Sequence, residues 1–252
     1  MSPRVIGVLH PGEMGAAVGR TLTTAGREVV WASSGRSAAT RERSGSAALR
    51  DVGTIDEIGR LADVILSVCP PHAAVDVARS LAGFEGIYVD ANAVSPATAA
   101  AIGADVRRFV DGGIIGPPPH ETGTTRLYLS GAEAETVAAL FAGTTLDARV
   151  ISGDAGKASA LKMSYAAWTK GSAALLLAQR EAARAHGVAD ELAAEWRLSL
   201  PGLDERVAAA ERSAAAKGWR WVAEMEEIAA TFAAAGEPDG FHLAAADVYR
   251  RY

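Results

Sequence analysis

Over the first 150 residues, short aliphatic and β-branched runs alternate with Ala-rich stretches of helical period. The apolar runs predict strands at 4–9, 28–32, 64–68, 87–90 and 108–111, and the stretches between them predict helices at 14–25, 54–61, 72–81 and 96–102. Strands alternating with helices imply a parallel sheet covered on both faces. Two further strands, 125–130 and 148–151, flank a helix at 132–141. After Ser152 the pattern changes. Residues 154–186 contain no proline and close on His186-Gly187, a helix stop. A span of roughly 30 residues far exceeds the ordinary helix. Shorter helical segments follow, separated by Pro201-Gly202, Gly218 and Gly236-Glu237-Pro238.

The first strand, VIGVLH, runs into HPGEMG and then into the helical MGAAVGRTLTTAG. A strand, a tight glycine turn and a helix N-terminus together direct backbone amides at a pyrophosphate. The loop His10, Pro11, Gly12, Glu13 and Met14 is therefore a candidate dinucleotide-binding segment. Gly12 allows close backbone approach and Gly15 close helix packing, while His10 stands where the first glycine of GxGxxG belongs. Strand two leaves as WASSGRSAATRER, without the acid that would bind the ribose hydroxyls of NAD. Ser33, Ser34 and Arg36 can instead hold a 2′-phosphate, which favours NADP. The fold class is thus α/β: an N-terminal Rossmann domain with a parallel sheet, residues 1–152, then an all-α C-terminal domain, 153–252, opened by a long interdomain helix.

Composition narrows the partners. A net charge of -5 gives no general attraction to nucleic acid or an acidic membrane surface. The single cysteine, Cys69, excludes an intramolecular disulfide and fits a reducing compartment. The N-terminus lacks a secretory signal, and no apolar run has the length of a membrane span. A cytoplasmic protein with a small-molecule substrate is the expectation. No His, Cys and carboxylate cluster has metal spacing.

Four segments together resemble the β-hydroxyacid dehydrogenases, which include 3-hydroxyisobutyrate and 6-phosphogluconate dehydrogenases. They are GVLHPGEMG, SVCPP (67–71), VDANAVSPATA (89–99) and GDAGKASALK (153–162). The tail from Arg220 to Tyr252 is similar to a branch with a 6-phosphogluconate-dehydrogenase-like C-terminal domain of formerly unknown function. The resemblance implies a homodimer sharing the helical domain. It implies that Val68, Cys69, Pro70 and Asn92 lie against the cofactor, and that Lys162 is the catalytic lysine. A lysine beside a bound cofactor can protonate a carbonyl oxygen or deprotonate an alcohol. Lys157 and Lys170 read as lysines snorkelling from an amphipathic helix.

Two departures from the family's pattern bear on the substrate. Ala166 replaces the asparagine four residues after the lysine, which leaves Tyr165 as a substitute hydrogen-bonder or second acid. Ile115 replaces the serine of the family's substrate loop, beside a retained Gly116, so a bulkier or less polar carbonyl compound is expected. Ser95, Thr169, Glu224 and His242 complete the candidate substrate residues. The leading reading is an NADP-dependent oxidoreductase acting on a carbonyl or secondary alcohol. Its rivals are imine reduction and a non-catalytic dinucleotide-binding dimer.

Overall fold

The computed structural model describes residues 4–252. The chain forms two compact units, the first ending at Lys162 and the second running from Met163 to Tyr252. The division falls inside the long helix rather than ahead of it at residue 152, because the helix's first turns are bonded to the sheet.

The first unit is an eight-stranded sheet in the order β3-β2-β1-β4-β5-β6-β7-β8. The strands are β1 (Val5–Leu9), β2 (Glu28–Trp31), β3 (Arg50–Asp51), β4 (Val64–Ser67), β5 (Ile87–Asp90), β6 (Phe109–Ile115), β7 (Thr125–Ser130) and β8 (Leu146–Val150). The helices α1 (Glu13–Thr24), α2 (Ala38–Ser46), α3 (Ile55–Leu61), α4 (Ala74–Arg79), α5 (Pro96–Asp105) and α6 (Ala134–Ala138) connect them. Alternation at period two splits the strand side chains between two cores. Ile6, Val8, Leu66 and Val89 face one core, and Leu9, Val30, Ile65 and Tyr88 the other.

The sheet is not wholly parallel, as the alternation had suggested. β7 runs antiparallel to β6, pairing Asp111 with Ser130 and Ile115 with Arg126. A parallel return needs a crossover helix, and the segment between the strands, GPPPHETGT, forms none. Two elements carried no hydrophobic signal. In α2 only Ser44 is buried, and β3 is a two-residue exposed edge strand beside β2.

The second unit takes the remainder of α7 (Lys157–Ala185) with α8 (Ala189–Ser199), α9 (Leu203–Ala234) and α10 (Gly240–Tyr249). Helix α9 passes straight through Gly218, which the sequence reading took for a break. A Cβ there would lie 3.1 Å from the Tyr252 Cβ and 3.8 Å from the Tyr249 ring, so the glycine admits the chain end against α9. No helix of the described residues is long and apolar enough to cross a membrane.

Candidate functional site

Strand register builds the site's edge. Leu9, Ser67, Asp90 and Asp111 pair in sequence across β1, β4, β5 and β6. β1, β4 and β5 end at this row, and the chain beyond them forms loops at the carboxyl edge of the parallel strands, where open α/β sheets bind ligands.

The β1–α1 turn opens with His10 at φ 59°, the left-handed conformation that the missing glycine would adopt freely. Holding it in a residue with a Cβ costs about 1–2 kcal/mol. The Gly12 amide then donates to the His10 carbonyl at 2.6 Å. Gly15 is required by the protein itself, since a Cβ there would lie 2.9 Å from the His10 carbonyl oxygen. Gly12 is not. Its φ is -67°, and a Cβ would meet nothing closer than 3.9 Å. The free space at Gly12 faces away from the fold, which suits close approach by a ligand.

Arg36 completes this corner. Its Nε and the His10 Nδ1 are both buried without a hydrogen-bond partner. Burial first, and the Arg36 charge second, lower the His10 pKa to about 4. The imidazole is therefore neutral at pH 7, leaving Arg36 as the positive charge. Sequence reasoning missed two neighbours. The Arg41 guanidinium reaches the Ser33 carbonyl at 3.4 Å, on a helix without apolar periodicity. Asp51, at the end of the unforeseen β3, accepts from the Ser33 and Gly53 amides at 3.2 and 2.8 Å. Partial burial works against its ionisation, but those bonds and Arg41 hold its carboxyl below the usual range.

Val68, Cys69 and Pro70 form the loop after β4 and are half-buried. Asn92 fixes that loop rather than presenting a free amide. It is buried, accepts from the Cys69 amide at 2.5 Å, and donates to Ser67 Oγ at 3.2 Å and to Asp90. Burial chiefly pushes the Cys69 thiol up to about 11, so it stays protonated. Ser95 is likewise committed to structure. It is buried and caps α5, accepting from the Thr98 amide at 3.2 Å ahead of Pro96.

The start of α7 is bonded to β6. Buried Asp111 accepts from the Gly156 and Ser159 amides at 2.9 and 3.0 Å, from Ser130 Oγ at 2.9 Å, and from Ser159 Oγ. A carboxylate at a helix N-terminus satisfies donors the helix leaves unpaired. Gly113 sets the approach distance. A Cβ there would lie 2.8 Å from the Ala158 carbonyl oxygen and 2.9 Å from the Lys162 Cβ. Two positions past the Leu9–Asp111 row, Gly113 thus brings Lys162 to the carboxyl edge of the sheet. Nearby, Ile115 is buried. Gly116 has φ 126°, and a Cβ there would lie 2.4 Å from the Thr124 carbonyl, so the backbone itself demands glycine.

Of the candidates in the second unit, Tyr165 and Thr169 are exposed on α7, and Thr169 returns its hydroxyl to the Ala166 carbonyl at 3.3 Å. Ala166 itself is buried, so the family's asparagine position is filled here by packing. Lys170, read from the sequence as a solvated lysine, instead forms a largely buried ion pair with Glu224 at 2.7 Å. The Lys170 ammonium also lies 5.8 Å from the Trp221 ring, and the Lys170 carbonyl accepts from the Tyr249 hydroxyl at 2.6 Å. His242 is only 7% exposed, its ring is tilted against Phe232 with centroids 4.2 Å apart, and its Nδ1 has no partner.

Solved structures share this order of a mostly parallel sheet and a helical unit opened by one long helix. A conserved protein of unknown function whose structure revealed similarity with 3-hydroxyacid dehydrogenases superposes with a TM-score of 0.72 at 26% identity, over 98% of this chain and 96% of that one. The 3-hydroxyisobutyrate dehydrogenase of Mycobacterium tuberculosis gives 0.70 at 17% identity, over 100% and 94%. A reductive aminase from Aspergillus terreus, solved with NADPH, gives 0.60 at 18% over 100% and 93%. An uncharacterized 28.5 kDa protein of Methanothermus fervidus is 33% identical over 162 residues, which is 63% of this chain and 62% of that protein. The match thus spans less than two thirds of that relative's length. Residues 183–252 match the family described as a domain of unknown function (DUF1932). The chain thus shares the fold of 3-hydroxyacid dehydrogenase-like structures, and its match to the DUF1932 family is confined to residues 183–252.

Proposed function

We propose that the chain is an NADP-dependent oxidoreductase that interconverts a small-molecule carbonyl and its secondary alcohol, with Lys162 as general acid and base. The observation that carries this reading is the bonding of the Lys162 helix to β6 at the edge where the β1, β2 and β4 loops open. The residues present fit a dinucleotide phosphate: an unencumbered Gly12, the unpartnered Arg36 Nε and an adjacent Arg41. The cofactor, when bound, would supply the hydride as NADPH in reduction and take it up as NADP⁺ in oxidation.

The chain's own part is binding and proton transfer. The amides at the start of α1 and the Arg36 charge hold phosphate oxygens. Asn92 keeps the β4 loop in place, and Asp111 with Gly113 fixes the backbone from which Lys162 reaches out. The Lys162 ammonium donates its proton to a carbonyl oxygen in reduction, and the amine accepts one from the alcohol in oxidation. Buried Ile115 in place of a serine removes a polar contact for a carboxylate, which favours a less polar carbonyl compound. In this proposal the first unit is the dinucleotide-binding domain, the second the substrate and dimerisation domain, and the protein a homodimer. Tyr165 is a second proton donor.

The likeness to reductive aminases supports one other reading, imine reduction. Steady-state NADPH consumption with 2- and 3-oxo acids, neutral ketones and cyclic imines separates the two. Turnover of ketones over imines supports the proposal, and turnover of imines alone replaces it.

A further inference from the structure

Within the second unit, α7 and α10 enclose a groove of about 330 Å³ that the cofactor reading does not use. The volume falls at the lower end of small-molecule sites. Trp168, Gly171, Ser172, Leu175, Phe241 and Val248 line it, and no lining residue carries a formal charge. Large apolar side chains stand open around it, Trp168 at 68% exposure, Leu175 at 60% and Phe241 at 78%. Against this lining, one polar atom is out of balance. His242 belongs to the groove wall and is nine-tenths buried, yet its Nδ1 has no hydrogen-bond partner. A buried polar group left unpaired costs about 1–3 kcal/mol, so the position calls for a partner from outside the fold. Gly171 is the residue that faces this atom: a Cβ built there would lie 3.9 Å from Nδ1, so the missing side chain is what separates Nδ1 from the helix.

We propose that this groove binds a neutral, largely hydrocarbon molecule carrying a single hydroxyl or carbonyl group, with His242 Nδ1 as its hydrogen-bond partner. The absence of charge in the lining disfavours an ionic ligand, which would lose its hydration without compensation. Burial lowers the His242 pKa, so the imidazole is neutral at pH 7 and can pair with either an alcohol or a carbonyl. The site is independent of the nicotinamide reading, because its occupancy is read without turnover.

The test uses the full-length protein with 4-phenyl-2-butanol as probe and butylbenzene as the hydrocarbon control of similar shape. Binding is followed by the fluorescence change of Trp168 and checked against a Trp168→Phe variant. His242→Phe, which keeps the ring against Phe232, is expected to weaken the alcohol roughly five- to tenfold, the worth of one hydrogen bond, and to leave butylbenzene unchanged. Gly171→Leu, which fills the groove, is expected to abolish binding of both, and it stands in if the histidine variant misfolds. Two results overturn the proposal. One is alcohol binding that His242→Phe leaves unchanged. The other is no saturable binding up to the probe's solubility, with a dimer dissociated by Phe241→Glu assigning the groove to a second copy instead.

Discussion

Gly12 and Gly15 lie three residues apart in one loop, yet the structure gives them opposite reasons for being glycine. At Gly15 an added methyl would sit 2.9 Å from the His10 carbonyl oxygen, a backbone atom that cannot swing aside. Gly15→Ala should therefore behave as overpacking and destabilise the protein by about 1–3 kcal/mol. At Gly12 the nearest atom is 3.9 Å away and φ is already -67°. Alanine is poorer than glycine at an N-cap by some tenths of a kcal/mol. It also restricts the unfolded chain, which stabilises by about 0.4–1 kcal/mol. The two terms nearly cancel, so Gly12→Ala should leave stability within about 0.5 kcal/mol of wild type. If the space beside Gly12 is where a pyrophosphate approaches the backbone, the same methyl should weaken NADPH at least about tenfold, or 1.4 kcal/mol. Urea titration reads the first quantity and calorimetric titration with NADPH the second. A stable Gly12→Ala variant that binds NADPH as wild type does would refute the assignment of this loop.

Gly113→Ala should force α7 away from β6 and displace Lys162, lowering kcat by about tenfold or more while NADPH affinity holds; equal losses in both would mean general unfolding. The depressed His10 pKa makes stability depend on pH. Above pH 6.5 both states carry a neutral imidazole; as pH falls from 6.5 towards 4 the unfolded chain takes up the proton first, and stability drops. The gap corresponds to up to about 3 kcal/mol, so a His10→Gln variant should lose less stability than wild type between pH 7 and 4, and parallel urea curves would contradict this. Arg36→Ala should weaken NADPH by about 1–3 kcal/mol with little effect on NADH, and Arg41→Ala should do the same more weakly. Equal losses for both cofactors would place Arg36 on the shared pyrophosphate.

The parts of the fold visible in sequence were those with a strong period. β1, β4 and β5 are apolar runs, and α7 is a long Ala-rich stretch without proline. The hidden parts had none. α2 is polar on nearly every face, β3 has two residues, and the antiparallel β7 depends on a missing crossover rather than on any residue type. The same divide runs through the site. The phosphate loop is local in sequence and could be read directly. What Asn92, Glu224 and Lys170 do depends on partners that folding brings to them. For Asn92 the partner is the Cys69 amide, and for Lys170 it is a glutamate on another helix. Asp51 meets Ser33 because β3 pairs with β2, and Arg41 meets it because α2 folds back over the end of β2. No spacing rule would have joined them.

The central claim is that Lys162 moves the proton in a nicotinamide-dependent reaction. With the best substrate from the carbonyl screen, NADPH oxidation by wild type and Lys162→Ala is compared, alongside NADPH affinity for each. The account predicts a loss of turnover of roughly 10²–10⁴-fold with NADPH affinity within about twofold of wild type. A Lys162→Ala enzyme that keeps its turnover would contradict it.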